Sequence, residues 1–315
     1  MKQYSFATLS YQHKKITTKR EKFLNEMEKA VPWKRLLKLI EPHYPKAGKG
    51  RPPMPMESML RVYFLQQWYA LSDPAAEEAL YDIESMRNFA GLELVVDALP
   101  DETTILNFRR LIEKHELSLT LFEEINTYLM EKGIKVSQGS MIDATIVQAP
   151  SSTKNKEKKR DPDMHSTKKN NQHYFGMKIH IGTDINSNVI HSATVTAANT
   201  ADITEMPNLL RADDKVVMGD AGYMSDSYKR GARALDMTWK VNDKRKPKKQ
   251  LSSSQKKRNR KNSSVRARVE HCFRVIKCQF GYRKVRYKGL EKNRTQVFTL
   301  LGLANLYQLR GRLAG

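Results

Sequence analysis

Cysteine is nearly absent: 315 residues contain only Cys272 and Cys278. The two lie six apart on one helical stretch and do not face each other. Neither has a second cysteine or a histidine pair at zinc-ligand spacing, which excludes a disulfide framework and a structural zinc site. Both are expected to be reduced core residues of a cytosolic protein. No apolar run reaches the roughly 18 residues that would mark a bilayer span. The opening MKQYSFATLSYQHKK lacks the continuous apolar segment of a signal peptide. Acids are also in short supply, 34 Asp and Glu against 56 Lys and Arg, for a formal charge of +22. A solvated surface needs no such excess, and a polyanionic partner is its simplest cause. The basic clusters fall in polar, Asn- and Ser-rich stretches, so nucleic acid fits better than membrane. The length allows one sizeable core plus a smaller domain, with no internal repeat.

What is present begins with helices. Residues 1–45 form a basic segment in which Phe23, Leu24, Met27 and Val31 line one face, and Pro32 opens a second helix through Trp33, Leu36, Leu37 and Ile40. AGKGRPPMP, 47–55, is a breaker-rich linker. An apolar helix follows over 57–71, and Ser72, Pro74 and Glu77 start another. A short helix around Met86 ends near Gly91. LPDETTILNFRRLIEKH is then capped by Asp101 or Thr103, buries Ile105, Phe108, Leu111 and Ile112, and points Arg109 and Arg110 outward. Short helices ending on a basic face read as a helix-turn-helix-like DNA-binding module over 46–133, although small all-α domains share this look. A further helix over 117–132 closes at Gly133.

The pattern then changes. IKVSQGSMIDATIVQAP packs β-branched and apolar residues into a buried strand ending at Pro150. Residues 151–173 read as a basic loop. HYFGMKIHIGTD and NVIHSATVTAAN read as an antiparallel hairpin turning at Asn186 and Ser187. A helix over 202–211, a strand KVVMGDAGY, a helix over 226–235 and a short strand MTWKVND follow. A long basic loop at 243–264 then leads into a helix, Val265 to Gly281, and an apolar helix over 295–309 completes a mixed α/β domain spanning 134–315.

Three acids stand out within that domain. Asp143 sits inside the first strand, where a charge is costly unless compensated. Asp220 ends a second strand between Gly219 and Gly222, which permit close approach of a backbone or a ligand. Each alone reads more simply as a strand-end cap. On the Val265–Gly281 helix, Arg266, Glu270 and Lys277 fall within roughly 40° of one another at 100° per residue, beside a buried stripe of Val269, Phe273 and Ile276. An ordinary Arg266–Glu270 salt bridge would explain that pair. Three carboxylates converging at one sheet end would repel one another unless cations bound, and an all-oxygen ligand set suits Mg²⁺.

MIDATIVQAP, RDPDMHSTKKNNQHYFGMKIHIGTD, VMGDAGY, and Arg266-x3-Glu270-x6-Lys277 followed by GLEKN resemble the DDE transposases of bacterial insertion sequences, nearest the insertion-sequence-five family. The resemblance runs from near Arg51 to the last helix. It implies a ribonuclease-H-like domain with a mixed five-stranded sheet flanked by helices and an all-α N-terminal module. Asp143, Asp220 and Glu270 would hold two Mg²⁺ ions, with Mn²⁺ able to substitute. Arg266 and Lys277 would hold DNA phosphates. Ser263 stands where the wider group's signature has tyrosine. The implied protein is a bacterial, nucleoid-associated cytoplasmic enzyme that binds double-stranded DNA, cuts it and joins the freed 3′ hydroxyl to target DNA, as a homodimer on paired ends. A nuclease of the same fold and a catalytically retired DNA-binding regulator are the competing readings.

The run from Lys244 to Arg268 carries twelve Lys and Arg and no acid. Its Lys256, Lys257, Arg258 and Arg260 are expected on a mobile DNA-binding loop, against the plainer reading of a solvated charge run. His165, His173, His180 and His191 are too scattered for a metal site to be favoured. Asp161 and Asp163 read as loop caps.

Overall fold

The computed structural model describes residues 14–48, 52–134, 136–169, 171–245, 247 and 249–313. Residues 1–13 of the opening segment and the centre of the 47–55 linker lie outside them. The chain divides into two compact units, Met1–Leu117 with Leu306–Gly315, and Ser118–Asn305.

Every regular element among the described residues of 14–117 is a helix: α1 (Lys19–Ala30), α2 (Trp33–Ile40), α3 (Met56–Tyr69), α4 (Asp73–Asp82), α5 (Glu84–Phe89) and α6 (Glu102–Lys114). Thr18 starts α1 through a reciprocal capping box with Glu21, which satisfies two backbone donors a helix start leaves open. Ser72 caps α4 and Asp101 caps α6. Helix α3 is buried nearly all round. Its Phe64 and Trp68 rings lie 5.8 Å apart, and Trp68 meets Phe89 edge-on at 5.6 Å. Arg109 does not point outward as its place in the stripe implies. It pairs with Asp73 at 2.7 Å, both side chains mostly covered. Asp73 stands in the first turn of α4, where the helix dipole favours a carboxylate, and its ion pair with Arg109 joins α4 to α6. Arg110 is exposed.

The second unit opens with α7 (Leu117–Glu131) and builds a six-stranded mixed sheet. Its strands are β1 (Gly139–Gln148), β2 (His165–Lys169), β3 (Gln172–Asp184), β4 (Ile190–Ala197), β5 (Val216–Gly219) and β6 (Thr238–Val241). The order is β2-β3-β1-β5-β6, with β4 also on β3. Strands β2, β3, β4 and β1 pair antiparallel, and β5 joins β1 and β6 in parallel. Helix α8 (Met206–Leu209) precedes β5, and α9 (Asp226–Ala234) provides the crossover to β6. Five strands were expected. The sixth, β2, lies in the segment that reads as loop, because His165–Lys169 is mostly exposed and polar and is defined only by its pairing with β3. Gly176 marks the meeting of three strands, since a Cβ there would stand 2.1 Å from the Val147 carbonyl oxygen.

One face of the sheet packs Ile142, Val217 and Val241 against Met206, Leu209 and Tyr223. The other faces α10 (Ser253–Arg274), which buries Val269, Cys272 and Phe273. Most of the expected basic loop is therefore helix. Ser252 opens it with a capping box to Gln255, and Lys and Arg are good helix formers whose charge does not prevent this. The helix is tied to the exit of β6: Arg258 pairs with Asp243 at 2.7 Å, Asn259 donates to the Asp243 carbonyl, and Asn262 donates to the Lys240 carbonyl. Ser263 accepts from Asn242 at 3.0 Å, so the residue in the tyrosine's place fastens helix to sheet. Cys272 is buried, but Cys278 is exposed, because it follows the end of the regular α-helix. Helix α11 (Leu290–Leu313) completes the chain, and its Asn305 bridges Asn126 and the Ile190 carbonyl at 2.8 Å each.

The cap gives a direct test of helix against loop. Ser252→Ala should lower unfolding stability by about 1 kcal/mol and speed amide exchange in the first turn of α10. A solvated loop would show neither change.

Candidate active site

Alternation along β1 sends Asp143 and Thr145 to the face covered by α10, and Ile142 to the apolar core. Asp143 is held from two sides. Its Oδ1 accepts the Ala144 N–H at 2.8 Å, and its Oδ2 accepts from Arg266 Nη1 at 2.8 Å. Three turns further, Lys277 Nζ donates to Thr145 Oγ1 and to the Ile146 carbonyl, both at 2.7 Å. Helix α10 thus runs along β1 with cations at two points.

Asp220 follows β5 directly. Met141 and Met218 are paired in parallel, and Asp143 and Asp220 each come two residues later, so Asp143, inside β1, lies level with Asp220 just past the end of β5. Asp220 turns its Oδ1 onto the Gly222 N–H at 2.7 Å, capping the single turn Ala221–Tyr223. This explains the glycine: a Cβ on Gly222 would lie 2.9 Å from Asp220 Oδ1. The space permitted here belongs to the chain's own carboxylate.

The electrostatics show two acids competing. Burial raises the Asp143 carboxyl to about 6, and the Asp220 charge adds to the rise. The Arg266 charge, the Ala144 hydrogen bond and Lys169 oppose it without cancelling it. Burial lowers Lys277, and the nearby Lys169 and Arg283 lower it further. Two donors beside the acids are buried without a hydrogen-bond partner, Arg266 Nε and the Tyr223 hydroxyl. Sequence patterns missed Tyr223, whose only signal was its place three residues after Asp220. The side-chain oxygen of Thr145 was legible only as an outward position on β1.

Glu270 lies one turn beyond Arg266 and is exposed. Among the described residues, no three His, Cys, Asp or Glu side chains gather closely enough to hold a metal ion. Asp143 and Asp220 are brought together, while Glu270 stays outside that pair. Arg266 occupies one oxygen of Asp143, and another carboxylate at the same point would deepen the repulsion already acting there. Past Arg274 the helix widens into a π segment, Val275–Gln279, with Phe280 N–H bonded to the Val275 carbonyl. The 100° spacing therefore fails before Lys277. Such insertions commonly accompany functional sites.

The other candidates fall elsewhere. Lys256, Lys257, Arg258 and Arg260 are exposed along the first half of α10. His180 is buried, bonded to Thr196 at 2.9 Å, and His191 bonds Ser140 at 2.9 Å. Asp161 and Asp163 accept the Gly289 and Leu290 N–H groups at 2.7 and 3.0 Å, so they cap the start of α11.

A mixed sheet with one acid inside a strand and a second at the end of the neighbouring strand, beneath a cation-bearing helix, defines a candidate site for phosphodiester chemistry. The sequence profile described as Transposase DDE domain matches residues 135–306, and that described as Transposase domain (DUF772) matches residues 11–111. The chain belongs to the transposase DDE domain family, which places it in the nuclease and transposase class of enzymes with DNA as the implied partner. No solved structure matches it. Among the described residues, no helix is long and apolar enough to cross a membrane.

Two outcomes test this geometry. Gly222→Ala should displace the Asp220 carboxylate and reduce DNA cutting by about tenfold or more, while thermal unfolding shifts little; an unchanged rate would detach Asp220 from the site. The second concerns pH without divalent ions. Asp143 binds its proton more tightly folded than unfolded, so its contribution to stability falls as pH rises from about 4 to about 6. Asp143→Asn should remove that component from the dependence of Tm on pH. An identical profile would show that the carboxyl is not burdened by burial.

Proposed function

We propose that the chain is an insertion-sequence transposase of the insertion-sequence-five type, with a ribonuclease-H-like domain that cuts DNA at the element's ends and joins the freed strands to target DNA. The observation that carries this reading is the Asp143–Asp220 pair beneath Arg266, whose Nε is a buried donor without a partner. In the first step a water oxygen bonds to phosphorus and the element's 3′ oxygen leaves with a proton. In the second, that 3′ hydroxyl attacks a target phosphodiester and displaces the target's 3′ oxygen.

The donor set fits a divalent cation. Asp143 and Asp220 supply oxygens only, and the rise in the Asp143 carboxyl reflects burial and repulsion that a cation would relieve. Asp143 and Asp220 would hold the cation, with Glu270, exposed in this structure, as the third carboxylate expected to join them. Mg²⁺, or Mn²⁺ in its place, would supply Lewis acidity to the attacking and leaving oxygens. Arg266 offers its second donor to a phosphate oxygen in a directed, planar geometry, and Lys277 adds a point charge beside Thr145. The exposed cations of α10 extend the DNA-binding surface of their own unit; in the other unit Arg110 is exposed and available to DNA, whereas Arg109 is committed to Asp73. Holding two ends together calls for a homodimer on DNA.

Asp220→Asn is the decisive variant. It keeps the side chain's size and loses its charge, so cutting and joining should fall below detection while binding to a labelled duplex carrying the element's end stays within about twofold. Mg²⁺ should raise the Tm of the unaltered chain and not that of the variant. Wild-type cutting by Asp220→Asn would reduce Asp220 to a turn cap. Cutting without joining by the unaltered chain would favour the nuclease, and binding alone the retired regulator.

A further inference from the structure

Parallel pairing across three strands sets one further residue beside the acid pair. Met141, Met218 and Lys240 are level with one another in β1, β5 and β6. Two residues on from each stand Asp143, Asp220 and Asn242. The strands still run side by side at that level. Asn242 donates its N–H to the Gly219 carbonyl at 3.1 Å, and Asp220 keeps an extended backbone at φ −78° and ψ 179°. A step of two returns a side chain to the same face of a sheet. All three therefore belong to the face that α10 covers, with Asp220 between the other two.

Helix α10 crosses this row in the same order. Ser263 accepts from the Asn242 amide nitrogen at 3.0 Å. One turn later, Arg266 donates to Asp143 at 2.8 Å. Neighbouring strands lie about 4.8 Å apart, so β6 and β1 are about 10 Å apart, a span that one helical turn and two side chains cover. The exit of β5, with Asp220, falls within that span.

Asn242 is 8 % exposed. Its nitrogen is committed to Ser263, and its side-chain oxygen is buried without a hydrogen-bond partner among the described residues. At the other end of the row, Arg266 Nε is in the same condition. A buried acceptor left unmet is costly and calls for a reason. Fastening the helix is not that reason. Asn259 and Asn262 also tie α10 to the exit of β6, and neither leaves a buried oxygen unmet.

The chemistry of the row supplies one. Burial and the Asp220 charge already raise the Asp143 carboxyl, so a further carboxylate would add repulsion. An amide oxygen adds a ligand and no charge. Mg²⁺ and Mn²⁺ accept carbonyl oxygens beside carboxylates and water.

We propose that Asn242 is a third protein ligand of the divalent cation held by Asp143 and Asp220, through its side-chain carbonyl oxygen. The inference rests on the cation-binding role proposed above for the two acids and adds a neutral oxygen to it.

The test reads cation binding itself, on the full chain without DNA. Mn²⁺ is titrated in, and the free ion is followed by its electron paramagnetic resonance signal. Asn242→Ala should weaken binding by about tenfold or more, since affinity follows the ligands a site offers. Asn262→Ala is the control: it removes a tie between α10 and β6 but no oxygen from the row, and should stay within about threefold of the unaltered chain. Asn242→Asp keeps an oxygen in place and adds charge, so it should tighten binding by about tenfold. That variant decides the matter where circular dichroism shows Asn242→Ala unfolded. Equal binding by Asn242→Ala and the unaltered chain, equal weakening in Asn242→Ala and Asn262→Ala, or no tightening in Asn242→Asp would reduce Asn242 to a tie whose oxygen meets only water. Any of these overturns the inference and leaves the two acids their role. Asp220→Asn marks the larger failure: if it binds Mn²⁺ as the unaltered chain does, the acids are not the cation's site and both readings fall.

Discussion

The ion pair between Arg266 and Asp143 sets the terms for the rest of the catalytic unit. A carboxylate within a buried strand is tolerated only with a charge or several donors facing it. Here a backbone N–H and one guanidinium nitrogen provide part of that compensation. Burial still raises the acid's pKa, so the compensation is incomplete. This requires α10 to lie along β1 within hydrogen-bond reach. The ties from Asn259, Asn262 and Ser263 to the exit of β6 hold it there. Removal of any one tie loosens an alignment on which a buried charge depends.

The second acid is delivered by a different device. Strand β5 is only four residues long, and its parallel pairing with β1 sets Asp220 level with Asp143. Asp220 then closes its own turn through Gly222. Tyr223, fully buried at the end of that turn, anchors it in the apolar face. The carboxylate therefore has one oxygen committed to the backbone and a fixed approach to its neighbour. A pair of acids held this way is unfavourable in isolation. That is the signature of a site shaped for a ligand rather than for stability.

Periodicity made much of this legible. Strands β1 and β3 and helices α1 to α6 are amphipathic or apolar runs between clear caps, and local patterns suffice for those. Asp143 and Asp220 stood out because acids inside apolar strands contradict the surrounding pattern. Features decided by distant partners were not legible. The β2 strand is polar and exists through pairing with β3. The basic run became helix because Ser252 and Gln255 cap it and β6 supplies acceptors across its side. Arg109 turned inward because Asp73 sits at the start of another helix. The π segment broke the angular reading of Lys277, since one widened turn rotates everything after it. Glu270 is the sharpest case: its spacing from Arg266 and Lys277 is clear in sequence, but the fold leaves it exposed.

The scarcity of acids gives the charge pattern its meaning. In the catalytic unit, Asp184 accepts from Ser137, Asn186 and Ser187. Asp214 binds Ser140 and Arg211, and Asp243 binds Arg258. Asp161 and Asp163 are spent on the start of α11. These carboxylates are consumed locally, closing turns and helix starts. On α10, Lys256, Lys257 and Arg260 stay exposed while Arg258 and Arg266 are paired with Asp243 and Asp143. A protein with balanced charge would have quenched such a surface with its own side chains. Here the excess is left exposed on α10 beside the acid pair, so a polyanion is attracted over the flank and repelled at the acids themselves. Attraction over the flanks and repulsion at the centre together favour a polyanion that arrives with cations at its middle.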